Sequence, residues 1–270
     1  MKYDQEEFRA QLVQWGHMAA DDDIEVGIAS YQSFFIEELD DIAKNALGRA
    51  LRVDGEAGPA TTELLCHPRC GCPDKPLGLE KEEANWPPGC RLDLTVNYQT
   101  SGLNLSQEEV DEAFQAGLQS WEEVIDVGFR KVESEGKAKI WSTNKPLGGS
   151  TLAWSYLARN TCNARLEQRY NTRTRWNSQY LQGVVAHEYG HALGSGHLRD
   201  PAALMYPYAR QNVYKPSRVD VQWMKRLGYN DPLAPPEPPE PTKRVKNLAV
   251  DGDEVLIEYE NGGEETFKWM

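Results

Sequence analysis

Apolar residues recur at helical spacing in two stretches near the N-terminus. Phe8, Leu12 and Trp15 form the first set, and Ile28, Tyr31, Phe34, Phe35 and Leu39 the second. A period of 3.6 brings each set onto one face, so both stretches predict short amphipathic helices. Asp54-Gly55-Glu56-Ala57-Gly58-Pro59 carries turn chemistry, and Pro59 suits the first turn of a third short helix. Over residues 91–98 the period changes to two: Leu92, Leu94 and Val96 alternate with polar neighbours, as in a strand with one buried face. Ser106-Gln107-Glu108-Glu109 is a capping box, opening a helix whose apolar face is Val110, Phe114, Leu118, Trp121 and Ile125. Residues 138–157 read as two strands around a Lys145-Pro146-Leu147-Gly148-Gly149 turn.

Punctuation between these elements predicts the organisation. Residues 1–65 form a small helical bundle. Residues 66–89, with Pro68, Pro73, Pro76, Pro87 and Pro88 among cysteines and glycines, read as an extended linker open to proteolysis. Residues 90–231 hold the largest domain. A proline-rich spacer at 232–242 is stiff and extended, and a tail at 243–270 carries a hairpin pattern: a strand at 254–259, then Asn261-Gly262-Gly263, then residues 266–269.

Composition removes some function classes. The net charge is −13, from 29 basic and 42 acidic residues. Nucleic acid and anionic membranes call for a basic face, so neither is the expected partner. No apolar run is long enough to span a bilayer. The charged start, Met1 to Glu7, does not read as a secretory signal peptide; a signal removed beforehand, another export route and no export all fit it. The five cysteines (Cys66, Cys70, Cys72, Cys90 and Cys162) leave at least one thiol unpaired within a monomer, the expected state.

The chemistry concentrates in His187-Glu188-Tyr189-Gly190-His191-Ala192-Leu193-Gly194-Ser195-Gly196-His197, which fits H-E-x-x-H-x-x-G-x-x-H at every fixed position. His187 and His191, four apart, share one helix face. Gly194 can take a positive φ and let the chain turn, so that His197 supplies a third nitrogen. Three protein ligands and an open fourth position mark a catalytic rather than a structural zinc. Glu188 lies off the ligand face, within reach of a water at the metal, as a general base. Chance can produce a bare H-E-x-x-H, but three of the five histidines fall in this longer pattern. Met205, in Ala203-Leu204-Met205-Tyr206-Pro207, reads as an apolar floor beneath the imidazoles; a methionine turn after this motif is the metzincin signature.

Over roughly residues 25–229 the sequence resembles the matrixins, the matrix-metalloprotease branch of the metzincins. Pro68-Arg69-Cys70-Gly71-Cys72-Pro73-Asp74 is similar to the cysteine-switch motif P-R-C-G-x-P-D. Residues 113–129, with Ala113, Phe114, Leu118, Trp121, Val124 and Phe129, match the family's first catalytic-domain helix, and residues 220–229 its last. Residues 28–65 look like its peptidoglycan-binding-like helical prodomain.

The resemblance implies an α+β protein. A helical-bundle prodomain precedes a metzincin catalytic domain, a twisted mixed sheet with long helices, and a short β-rich tail follows. It implies a latent zinc endopeptidase acting on proteins or peptides outside the cell. Cys70 blocks the zinc until an activating protease cuts between Asp74 and about Trp86, and Arg69 pairs with Asp74 to hold the loop. It also implies that the residue four before the first zinc histidine, here Gly183, lines the S1′ pocket. Where the family carries histidines for a second zinc, Trp154 and Arg165 stand instead; one Zn2+ is expected, and neither a second zinc nor Ca2+. An alternative from another class is a cell-wall protein that binds peptidoglycan or another glycan through residues 1–65, with an inactive or accessory zinc domain.

Overall fold

The computed structural model describes residues 5–35, 52–74, 85–210, 212–232, 245–251, 254–260 and 264–268. Leu39, most of the linker after Asp74, nearly all of the proline-rich spacer and Asn261-Gly262-Gly263 lie outside the described residues. The chain divides into two units, Met1–Pro232 and Leu233–Met270.

Helices α1 (Gln5–Gln14) and α2 (Ile24–Phe35) bury the apolar faces anticipated from their spacing, and α3 (Pro59–Cys66) opens at Pro59 as expected. Phe8, Leu12, Trp15, Ile28, Tyr31, Phe34 and Phe35 form a core, joined by Leu64 and Leu65. The 54–61 turn is tied to α2 by Gln32, whose side-chain carbonyl accepts from the Asp54 and Gly55 amides at 3.0 Å. Gly55 takes φ +72°, a left-handed conformation open to glycine.

The larger core surrounds a five-stranded sheet of order β2-β1-β3-β5-β4. Its strands are β1 (Leu94–Tyr98), β2 (Phe129–Lys131), β3 (Ile140–Lys145), β4 (Ala153–Ser155) and β5 (Leu166–Asn171). All pairs are parallel except β4 on β5, which is antiparallel and leaves β4 at an edge. Two long helices pack together: α5 (Gln107–Glu122), opened by the expected Ser106–Glu109 capping box, and α6 (Ser178–Ala192). Their closeness depends on Gly117, where a Cβ would stand 2.7 Å from Val185. The Trp121 indole N–H donates to the Ala186 carbonyl at 2.7 Å across the same contact. A last helix, α7 (Arg218–Arg226), completes this mixed α+β fold.

Local differences from the sequence reading have physical causes. The strand expected at 91–98 begins at Leu94, because Pro88 opens a single helical turn, α4 (Pro88–Arg91). Arg91 is buried beside Asp126, and Leu92 is left exposed. The strands flanking the Lys145–Gly149 turn do not pair with each other; β5 comes between them, its six residues matched to β3 from Ile140↔Leu166 to Lys145↔Asn171. Among its described residues the second unit holds three strands, one more than the hairpin pattern named. β6 (Val245–Asp251) pairs antiparallel with β7 (Glu254–Tyr259), and β7 with β8 (Glu264–Lys268).

Candidate active site

Helix α6 starts at Asn177, whose side chain accepts the Tyr180 amide at 2.8 Å, and runs through His187 and His191 to Ala192. Gly194 then takes φ +106°, the positive value expected of it, and the chain turns back to deliver His197. The three imidazoles and the Cys70 thiol converge, with one ligand atom from each lying within 4.8 Å of the others. His187 Nε2 and His191 Nε2 are 3.1 Å apart, and Cys70 Sγ is 3.4 Å from His191 Nε2.

Each ring nitrogen on the far side has its own acceptor. His187 Nδ1 lies 2.8 Å from the Leu204 carbonyl and His191 Nδ1 2.7 Å from the Ser195 carbonyl. His197 Nδ1 lies 3.0 Å from Asp74 Oδ1. These partners place the proton on Nδ1 and aim three Nε2 lone pairs at one point. Burial holds His187 down at about 3, helped by His197, and it lowers His191 and His197 as well, so the rings are neutral, the form that ligates a metal. The buried His197 Nε2 has no hydrogen-bond partner. Tetrahedral zinc with ordinary bond lengths needs ligand–ligand edges of about 3.3 to 3.6 Å. The residues present therefore fit zinc. Among the described residues, the other group able to hold a metal, Cys70, Cys72, Glu188 and His191, overlaps this one.

Glu188 is fully buried, and its Oε1 has no partner. Burial pushes its carboxyl up to about 8 in this closed form, against a lowering pull from the Cys70 and Cys72 thiols. Met205 is buried where an apolar floor was expected. A Cβ on Gly190 would stand 2.2 Å from its sulfur, so glycine lets the α6 backbone rest on the methionine. The sequence reading did not single out the support of this floor. The Asp220 carboxylate, at the start of α7, accepts the Leu204 and Met205 amides at 2.8 and 2.9 Å. It thereby fixes the turn whose carbonyl orients His187. The available signal was Ser217-x-x-Asp220, a second capping box.

Residues 69–71 lie between two rims, Arg69 forming isolated β-bridges with Thr151 and Tyr208. Arg69 N donates to Ser150 O at 3.1 Å, Leu152 N to Arg69 O at 2.8 Å and Gly71 N to Ala153 O at 2.8 Å. On the other side Cys70 N donates to Pro207 O at 2.9 Å. Arg69 and Asp74 pair as expected, at 2.5 Å and wholly buried. Cys72 had been given no role. Its thiol donates to Ser155 O at 3.2 Å and lies 3.9 Å from Glu188 Oε2, so it covers the carboxylate while Cys70 faces the imidazoles. The Cys-Gly-Cys spacing was its only sequence signal.

Beside His187 a pocket is lined by Tyr180, Gly183, Val184, Leu204, Tyr208 and Val213. Gly183 is also a close-packing residue, since a Cβ there would stand 2.7 Å from the Val213 carbonyl oxygen. Trp154 packs edge-on to Tyr156 at 4.5 Å, with the Arg169 guanidinium 5.1 Å from its ring. Arg165 stacks on Trp141 at 4.8 Å and donates to the Glu135 carbonyl at 2.7 Å. A disulfide joins Cys90 and Cys162, a pairing the sequence left unassigned, while Cys66, Cys70 and Cys72 are free.

Comparison with known proteins adds to this geometry. Bovine (Bos taurus) interstitial collagenase is 29% identical over 202 residues, 70% of this chain and 42% of the relative. Rabbit (Oryctolagus cuniculus) macrophage metalloelastase is 29% identical over 238 residues, 80% and 50%. Human (Homo sapiens) matrix metalloproteinase-20 is 31% identical over 180 residues, 61% and 36%. The chain thus spans half or less of the length of these relatives. The model of the family described as Matrixin matches residues 86–229, from the buried Trp86 through the histidine motif to the buried Tyr229, and on that match over more than half its length the chain belongs to the matrixin family.

Proposed function

We propose that this chain is a latent zinc-dependent endopeptidase that hydrolyses peptide bonds in proteins outside the cell, silenced by Cys70 until residues 1–65 and the linker are cleaved away. The observation that carries the reading is the convergence of the His187, His191 and His197 Nε2 atoms, each ring backed at Nδ1 by an acceptor. Those three residues would hold one zinc, with Cys70 in the fourth position of the latent form. A zinc ion held there supplies Lewis acidity, polarising a carbonyl oxygen and acidifying a water.

The chain's own residues do the rest. Glu188, fully buried beside the imidazoles, takes the proton of the attacking water and delivers it to the leaving amine. The rim at residues 150–153, now bonded to Arg69 and Gly71, pairs with an extended substrate once the switch segment leaves. Val184, Leu204 and Val213 give the adjoining pocket an apolar lining suited to leucine or a larger aromatic side chain. Relatives named as a collagenase and a metalloelastase support structural proteins of the extracellular matrix as the substrate class.

Glu188→Ala tests the centre of this reading. The purified variant should retain about one zinc per chain, because its three imidazoles remain. After activation it should lose about 10²- to 10⁴-fold in casein or gelatin cleavage, the usual cost of losing a general base. Activity near that of the parent, or no zinc in either protein, sinks the assignment.

A further inference from the structure

The three imidazoles are not backed alike. His187 and His191 give their Nδ1 protons to the carbonyls of Leu204 and Ser195, both in the domain that remains after cleavage. His197 donates its Nδ1–H to Asp74, a carboxylate on the N-terminal side of the linker. Asp74 is well placed to keep this role without help from Cys70. Its amide donates to the Trp15 carbonyl at 3.0 Å, its Oδ2 lies 2.9 Å from His17 Nε2, and its Oδ1 is paired with Arg69. The carboxylate is wholly buried, and the loop that carries it is bonded on both sides.

A carboxylate behind an imidazole fixes the ring and raises its basicity toward a metal, and losing such a partner commonly costs about 10- to 100-fold in metal affinity. We infer that Asp74 is a positioning residue for the third metal ligand, so that the switch segment strengthens metal binding through His197 as well as through the Cys70 thiol. The inference rests on the metal centre proposed above. It follows that cleavage removes two supports at once: the thiol and the acceptor that orients His197. The mature domain should then release its metal more readily than loss of one thiolate accounts for.

The test uses the full chain, with zinc affinity measured by competition against a chromophoric chelator. Cys70→Ala removes the thiol and leaves Asp74 in place. Adding Asp74→Asn in that background should weaken zinc binding about 10- to 100-fold. If Asp74 acted only by holding Cys70 on the metal, the second substitution would change nothing, and an affinity within twofold overturns the inference. Failure of the Cys70→Ala chain to bind zinc at all would instead overturn the proposed metal centre. A second measurement separates positioning from loss of docking. In the imidazole 15N–1H spectrum of the zinc-loaded Cys70→Ala chain, the Nδ1–H signal of His197 should move on Asp74→Asn while those of His187 and His191 stay. No movement, or equal movement of all three, overturns the role.

Discussion

At the scale of single residues, missing side chains matter as much as present ones. Gly183 lines the pocket beside His187, yet a Cβ there would meet the Val213 carbonyl at 2.7 Å. That oxygen belongs to backbone and cannot rotate aside. Gly183→Ala gains about 1 kcal/mol of helix propensity but incurs overpacking of about 1–3 kcal/mol. Because the neighbour is rigid, the cost falls in the upper part of that range, about 2–3 kcal/mol, and a net loss of about 1–2 kcal/mol is expected. Denaturant unfolding measures this, and unchanged or raised stability would refute the packing argument. Cleavage profiling of the activated variant should also show an altered preference just after the cut, since the displaced Val213 forms part of the pocket wall. The histidine motif was fully legible at this scale because helix geometry translates four-residue spacing into a shared face. His17, Cys72 and Asp220 were not, since the contacts that bring them to the site, with Asp74, with Ser155 and with Leu204 and Met205, span 57, 83 and 15–16 residues respectively.

At the scale of elements, two fastenings invite measurement. The Cys90–Cys162 disulfide closes a separation of 72 residues and ties the loop between β4 and β5 to the start of the sheet domain. A loop of that length corresponds to about 4 kcal/mol in the chain-entropy model. Cys90→Ser with Cys162→Ser should lower the unfolding free energy by about 2–4 kcal/mol, and reductant should destabilise the parent but not the variant. Equal curves for both proteins would deny the bond a stabilising role. The second fastening is the segment at 69–71. Its backbone bonds to Ser150, Leu152, Ala153 and Pro207 fill the cleft independently of the thiol. Cys70→Ala should therefore raise activity without cleavage, yet leave it well below that of the cleaved enzyme. A full-length variant as silent as the parent would mean that cleft filling alone maintains latency; one as active as the cleaved enzyme would mean that the thiol is the whole lock.

At the scale of residues 1–232, the helical bundle and the sheet domain share a buried junction. Tyr206 and Tyr208, from the stretch just after Met205, belong to the core of the bundle, and Tyr208 hydrogen-bonds to Tyr31. Arg69 lies inside this junction, 4.0 Å from the Trp15 ring and paired with Asp74. Burial opposes ionisation of Asp74, but Arg69 together with the hydrogen bonds from His17 and His197 outweighs it and holds the carboxyl well below its usual range. Removing one partner of such a pair commonly costs about 3–5 kcal/mol, because it strands a buried charge. Arg69→Ala should undock the bundle, giving activity without deliberate cleavage and faster digestion by an added protease. A variant as latent and as resistant as the parent would show that the aromatic contacts suffice.

The sequence by itself determined what depends on spacing along one chain. It specified the amphipathic faces of α1, α2 and α5, the Ser106 capping box, the paired imidazoles of α6 and the positive φ of Gly194. These follow from local geometry, where a residue's neighbours are its neighbours in sequence. Tertiary structure alone decided the strand order, the choice of Cys162 for Cys90, the placing of Cys72 on Glu188 and the junction of His17 and His197 through Asp74. Each of these joins distant segments, and a partner is then chosen by which groups the packed cores leave buried and in need of a donor or acceptor.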